Sequence, residues 1–326
     1  MHLDDMIVIP LAAESLGVRS MATYVECGDT RILIDPGAVL APSRFNLAPA
    51  DEEWEALRGA NDRISTYATR ASLIFVSHYH EDHFRHDSGL YAGRRVWAKD
   101  PMRHIEGAQA RRAATLWRAL GGPGAPATAE GRRLETADAV LQASPALSHG
   151  PDGSPLGYVV ALTIEDRRAG TRFVHASDVQ GPLSPVAAAY LARQRPTLLY
   201  LSGPPAYLES QLGREPIDRS IEHLRRIIDQ TGCRVILDHY ALRDAAYPER
   251  FRLLWETGRV VTAAGYLGRP DTPLEARRLE LWSGRRKPPM PVRPSRARGA
   301  VADGAGRRDV RATINSRPGF RRVRGA

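Results

Sequence analysis

Cysteine is nearly absent: Cys27 and Cys233 are the only two in 326 residues and form no C-x-x-C pair. That excludes a disulfide framework and a zinc site built from thiolates. Both stand in or beside segments that read as strands, where a free cysteine behaves as a small buried hydrophobe. Long apolar runs are also missing. No stretch reaches the roughly 18 residues needed to cross a bilayer, and the opening MHLDDMIVIPLAAESLG places two aspartates where a signal peptide would carry a basic flank. A cytoplasmic protein with no membrane partner is expected. Lysine is scarce too, since Lys99 and Lys287 are the only two among 46 basic residues. So strong a preference for arginine reads as compositional bias rather than phosphate binding at each site.

What is present is ordinary for a globular chain, 43% hydrophobic and 25% charged. The net charge of +9 is local. From Arg285 onward 12 Arg, 1 Lys and 2 Asp give +11, which leaves −2 for the first 284 residues. The 285–326 tail is rich in Pro, Gly, Ala and Arg and has too few large apolar residues to offset its chain entropy, so it is expected to be disordered. A solvated extension is the favoured reading and a nucleic-acid tether the alternative. The boundary with the folded domain, 1–284, falls near Gly284.

Patterning within that domain predicts strands over Met6–Leu11, Ala22–Gly28 and Arg31–Gly37, with Gly28-Asp29 as the tight turn of a hairpin. A helix is expected from Asp51, followed by the strand LIFV (Leu73 to Val76), a strand over Arg94–Ala98 and a helix from Pro101 to about Leu120. Further strands are expected over 139–145, 157–165 and 171–176. Alternation follows: helix 184–194, strand TLLYLS, helix 216–230, strand RVILD and a helix after Pro248. Strands gathered first and βα units later predict an α/β fold of two packed sheets with helices outside.

The strand LIFV runs directly into SHYHEDHFRHD, which holds four histidines and three carboxylates in eleven residues. His78, His80, Asp82 and His83 form His-x-His-x-Asp-His, imidazole and carboxylate donors that suit a divalent ion. In an extended segment, residues two apart face the same way, so His78 and His80 can grip one ion, while a turn aims Asp82 and His83 at a second. Glu81, His86 and Asp87 read as solvated loop positions. His175 reads as a packed strand histidine that lies near enough to approach the site, and His2, His104 and His223 read as structural or exposed.

This run resembles the signature of the metallo-β-lactamase-fold hydrolases, and the family's other motifs occur in order: Asp35 in LIDPG, His149 in LSHG, Asp178 in HASDVQG and His239 in ILDHY. The resemblance implies a four-layer αββα sandwich of two mixed sheets. It implies two divalent ions, Zn2+ foremost and Mn2+ or Fe otherwise. His78, His80 and His149 would hold the first ion and Asp82, His83 and His239 the second. Asp178 would bridge them, and Asp35 would support the loop. A metal-bridging hydroxide would be the nucleophile, with Asp82 and Asp178 the catalytic carboxylates.

The stretches IPLAAESLGVRSMATYVECGDTRILIDPG, HASDVQGP, LYLSGPPAYL and LDHYALRD resemble an uncharacterised, mainly archaeal branch of predicted metal-dependent hydrolases or ribonucleases. Tyr240 departs from that branch's second histidine. Ser202, Gly203 and Tyr207, after the TLLYLS strand, are candidate pocket residues. The substrate class stays open between a small-molecule ester, thioester, lactone or phosphoester and a nucleic acid, RNA included. A slightly acidic domain and a separation of only 61 residues from Asp178 to His239 weigh against the RNA-processing branch with its large insert. A non-catalytic metal scaffold with a partner-recruiting tail is the remaining class. An iron-pair oxidoreductase is disfavoured because no flavin-binding partner domain accompanies the chain.

Overall fold

The computed structural model describes residues 2–3 and 6–283; the basic tail lies outside the described residues. Seven strands form the first sheet in sequential order: β1 (His2–Leu3), β2 (Met6–Pro10), β3 (Thr23–Cys27), β4 (Thr30–Ile34), β5 (Leu73–Val76), β6 (Arg95–Ala98) and β7 (Ala127–Thr128). The chain continues through β8 (Arg133–Glu135), β9 (Ala139–Ala143), the short ribbon β10 (Leu147–Ser148) with β11 (Tyr158–Val159), then β12 (Leu162–Asp166), β13 (Arg172–Ala176), β14 (Leu198–Ser202), β15 (Arg234–Asp238) and β16 (Val260–Val261). The second sheet has the order β16-β15-β14-β13-β12-β9-β8. Both sheets are mixed, parallel over β4–β7 and β13–β16 and antiparallel elsewhere.

Two-residue alternation along the strands builds the layers. Ile32 and Ile34 of β4, Leu73 and Phe75 of β5, and Leu198 and Tyr200 of β14 face the core between the sheets. Their neighbours Leu33, Ile74 and Val76 turn outward onto Ala60, Ile64, Ala113 and Leu116 of the helices Asp51–Ala68 and Gly107–Ala119. On the other side Leu199 and Leu201 meet Ala187, Leu191, Leu224 and Ile227 of the helices Pro185–Arg193 and Arg214–Thr231. A strand buried on both faces reads as a continuous apolar run. That is why LIFV lacks polar residues, and why the expected helix–sheet–sheet–helix layering is present.

Three expected elements end differently. Pro101 does not open a helix: the Asp100 carboxylate accepts from Met102 N and Arg103 N at 2.8 and 3.0 Å, and the helix starts at Gly107, capped by Glu106. The 157–165 segment breaks into β11 and β12 because Val160 N donates to Ser77 O and Ala161 N to Ser144 Oγ, at 3.1 and 2.9 Å. After Pro248 there are two single turns, Tyr247–Arg250 and Arg252–Trp255, interrupted where Phe251 leaves helical geometry and buries its ring. The hairpin turn forms as read, with Cys27 paired to Thr30 and Gly28 at φ 55°. Both cysteines are free and buried. Among the described residues no helix is long and apolar enough to cross a membrane.

Candidate metal centre

Loops at the carboxyl ends of strands converge on one point, the usual place for function in open α/β sheets. β4 delivers Asp35, β5 delivers Ser77 to His83, β10 delivers His149, β13 delivers Ser177 and Asp178, and β15 delivers His239. Asp35, Asp178 and His239 each adopt positive φ, at 48°, 52° and 59°. Such left-handed residues cost about 1–3 kcal/mol each and persist only where surroundings hold them. Asp35 N is held by Phe75 O at 2.8 Å and His239 N by the Asp238 carboxylate at 2.8 Å.

Asp178 sits at the centre. Its Oδ2 lies 3.3 Å from His78 Nε2, 3.2 Å from His149 Nε2 and 4.0 Å from His80 Nδ1. Its Oδ1 lies 3.4 Å from His83 Nε2 and 3.2 Å from His239 Nε2. Asp82 Oδ2 completes the second group, 3.8 Å from His83 Nε2 and 3.6 Å from His239 Nε2. The candidate residues thus come together as two sets, His78-His80-His149-Asp178 and Asp82-His83-His239, with a third grouping, Asp35-His78-His83, that overlaps both. All these side chains are buried except His80 and Asp82, 26% and 14% exposed, which form the open edge.

The donors fit divalent ions. Ligands about 2.0–2.1 Å from a tetrahedral zinc stand roughly 3.3–3.4 Å from one another, and the four separations from Asp178 to His78, His149, His83 and His239 run from 3.2 to 3.4 Å. His83 Nε2 and Asp178 Oδ1 are buried with no hydrogen-bond partner, a state costing about 1–3 kcal/mol per group that a cation between them would relieve. Charge points the same way. Burial pushes His83 down, but Asp178, Asp82 and Asp35 drive it up to about 10, so the cluster draws in positive charge. His78 is lowered to about 3 by burial and by the charge of His83, which keeps its ring neutral. Asp178 is held well below the carboxylate range: burial opposes ionisation, but His83 and His239 more than offset it.

A set of supporting groups orients the histidines. Asp35 accepts from Ser77 N and Ser77 Oγ, both at 2.7 Å, from His83 Nδ1 at 3.0 Å and from the Ser177 hydroxyl. Its oxygens are therefore taken, and it fixes His83. Glu14 does the same for His239, accepting from Nδ1 at 2.7 Å, and binds Arg243 Nε at 2.7 Å. Asp238 gathers Ser15 N, His239 N and Ala263 N at 3.1, 2.8 and 2.9 Å. Burial, with the charge of Glu14, raises its carboxyl to about 6. Tyr240 donates to Asp178 Oδ2 at 3.1 Å and stands 3.2 Å from His149 Nε2.

Sequence reasoning missed Glu14, Arg243, Ser77 and Ser177. Arg243 had a faint signal, four residues after His239 at helical spacing; Glu14 had none, because it acts across 225 residues. Ser202 and Gly203 are corrected as pocket residues. Ser202 is fully buried with its hydroxyl accepting from Gln180 N at 3.0 Å, and a Cβ on Gly203 would stand 2.4 Å from Ala241 Cβ. Tyr207 is half-buried near Arg243, Nη1 to Oη 3.4 Å. His175 donates from Nε2 to Met21 O at 3.0 Å. Glu81 faces Arg112 at 3.5 Å, His86 meets Phe84 edge to face and Asp87 caps a short turn. His104 packs on Tyr158, His223 bonds Pro182 O and the His2 side chain lies outside the described residues.

No family model matches the chain. A protein of Methanopyrus kandleri described as a UPF0282 protein is 39% identical over 292 residues, covering 85% of this chain and 99% of its own length. A UPF0282 protein of Thermococcus sibiricus is 39% identical over 290 residues, covering 85% of this chain and 94% of its own. The chain belongs to the UPF0282 family. Both UPF0282 relatives are archaeal and neither description names an activity, which agrees with the archaeal, uncharacterised branch that the motifs resemble. Among solved structures, unliganded yeast PDE1 is similar at a TM-score of 0.46 with 11% identity, over 79% of this chain and 98% of that one.

Proposed function

We propose that the chain is a dinuclear metal-dependent hydrolase whose substrate is a small-molecule ester, thioester, lactone or phosphoester. The observation that carries this reading is the division of the Asp178 carboxylate, Oδ2 toward His78 and His149 and Oδ1 toward His83 and His239. One carboxylate is shared between two histidine sets. In this reading His78, His80 and His149 hold one ion, Asp82, His83 and His239 hold the other, and Asp178 serves both. Imidazole and carboxylate donors suit zinc, with manganese or iron next.

Divalent ions held there would lower the pKa of water by several units and polarise the scissile carbonyl or phosphoryl oxygen. The remaining work belongs to the chain. With ions held there, Asp35 and Glu14 would keep the one remaining proton of His83 and of His239 on Nδ1 and leave both Nε2 atoms to the ion. The Tyr240 hydroxyl donates to Asp178 Oδ2 beside His149, and by turning from it would donate to a substrate oxygen that gains negative charge beside the first set. Substrate enters over the open edge of His80 and Asp82.

Elemental analysis of the full chain, paired with turnover of p-nitrophenyl acetate and bis(p-nitrophenyl) phosphate, tests the reading. Two metals per chain with turnover that a chelator abolishes support it. Cleavage of the phosphodiester alone turns the reading to a nuclease, metals without turnover turn it to a scaffold, and a folded chain that takes up no zinc, manganese or iron overturns it.

A further inference from the structure

Beside the second ligand set runs a ladder of guanidinium and aromatic groups, of which the chemistry above uses only Tyr240. The Arg44 guanidinium lies between two rings, 4.7 Å from the centroid of Phe45 and 5.2 Å from that of Tyr207. Tyr207 stacks on Tyr240 with centroids 6.4 Å apart and planes at 11°, and Arg243 covers Tyr240 at 4.4 Å. The ladder leads from Phe45, which is 44% exposed, to the Tyr240 hydroxyl on Asp178.

Its donors are only partly used. Arg44 Nη2 donates to Arg243 O at 2.8 Å, but its buried Nε makes no hydrogen bond, and the Glu275 carboxylate stands 4.0 Å away. Arg243 commits Nε to Glu14, and its Nη2 stands 3.2 Å from His239 Nε2 and 3.5 Å from Asp82 Oδ2, whereas Nη1 has only Tyr207 Oη at 3.4 Å. Charge-assisted bonds are normally shorter, about 2.7–2.9 Å. Arg19 is bonded to Glu275 at 2.6 and 2.5 Å and Arg243 to Glu14, so Arg44 shares Glu275 from 4.0 Å and makes no hydrogen bond to a carboxylate.

The backbone holds Arg44 in place. Arg44 and Leu47 exchange hydrogen bonds at 3.0 and 2.9 Å around a two-residue turn in which Phe45 and Asn46 have φ of 56° and 58°. Asparagine takes that conformation readily; phenylalanine does not. The turn sets Arg44 between its two rings in spite of that strain.

Resting on the dinuclear-hydrolase reading, we propose that Arg44, Tyr207 and Arg243 form a subsite that seats a phosphate group of the substrate next to the second ligand set. Guanidinium and hydroxyl donors from three separate side chains suit a tetrahedral oxyanion, whereas a planar carboxylate is satisfied by a single guanidinium fork. The substrate is accordingly a phosphoester, or an ester of a molecule that carries phosphate.

The test is calorimetric titration of the full, metal-loaded chain with inorganic phosphate, and separately with acetate, for wild type, Arg44→Ala, Arg44→Lys and Tyr207→Phe. Metal content is measured on every sample, and the basic tail contributes equally to all. Phosphate affinity is expected to fall roughly tenfold in Arg44→Ala at unchanged metal content, to recover in part in Arg44→Lys and to fall a few-fold in Tyr207→Phe. Acetate affinity should not change. Wild-type phosphate affinity in Arg44→Ala and Tyr207→Phe overturns the subsite, and an equal loss for acetate overturns its phosphate assignment. Should Arg44→Ala fail to fold, Tyr207→Phe decides. A wild-type chain without metal defeats the hydrolase reading, while the phosphate difference between wild type and variants still reports on the subsite.

Discussion

Glu14 and His239 are joined by a 2.7 Å hydrogen bond between positions 225 residues apart, both buried. The bond sets the tautomer of His239 and aims its Nε2 at Asp82 and Asp178. Glu14→Gln keeps the shape and removes the charge. The affinity of the second ion should fall about 10–100-fold, read by competition with a chelator; an unaltered affinity would detach Glu14 from the centre.

Asp35 accepts four hydrogen bonds, and all of its donors are buried. In Asp35→Ala the Ser77 N–H, two hydroxyls and the imidazole of His83 lose their acceptor. Stability measured by urea denaturation should drop by about 3–5 kcal/mol. A loss under about 1 kcal/mol, typical of an ordinary substitution, would mean that water replaces the carboxylate without penalty.

Gly37 has no room for a side chain, since a Cβ there would stand 2.4 Å from Phe84 N and 2.6 Å from His83 N. Backbone atoms cannot rotate away as a side-chain tip can. Gly37→Ala should therefore displace the loop carrying His83, cost about 1–3 kcal/mol or more and lower metal content. A variant with wild-type melting temperature and wild-type metal content would show that the loop yields freely.

Glu275 supplies the pH dependence. Burial opposes its ionisation, but the hydrogen bonds and charge of Arg19 more than compensate, so its folded-state pKa lies below the ordinary value. For a depressed carboxylate, the stabilisation is present above the unfolded pKa of about 4.3 and is lost as pH falls through the lower folded value. Denaturation curves of wild type and Glu275→Gln should therefore differ at pH 7 and draw together below about pH 4. A gap that stays constant down to pH 3 would exclude this linkage.

The His78–His83 cluster was legible because it follows the apolar run LIFV, whereas Asp35, His149, Asp178 and His239 were legible through the motifs of the family the chain resembles. LIFV before His78, RFVHA before Asp178 and RVILD before His239 mark strand ends, where a turn presents side chains to one rim. The layers were legible for a related reason: a strand covered on both faces excludes polar residues. Pro101 misled because proline fits a bend as well as a first helical turn, and there the Asp100 carboxylate stabilises the bend. Ser202 and Gly203 misled because small residues after a strand serve close packing as readily as access; Ala241 occupies the space beside Gly203.

The sequence by itself determined which elements form and which residue types stand at their ends, since periodicity, turn chemistry and donor identity are local properties of the chain. Only the tertiary structure decided that Glu14 meets His239, that Arg44 lies between Phe45 and Tyr207, and that Asp178 faces a different histidine set with each oxygen. Those relationships join residues far apart in sequence, and they are set by how two twisted sheets stack and where their strand ends meet. No local pattern along the chain carries that information.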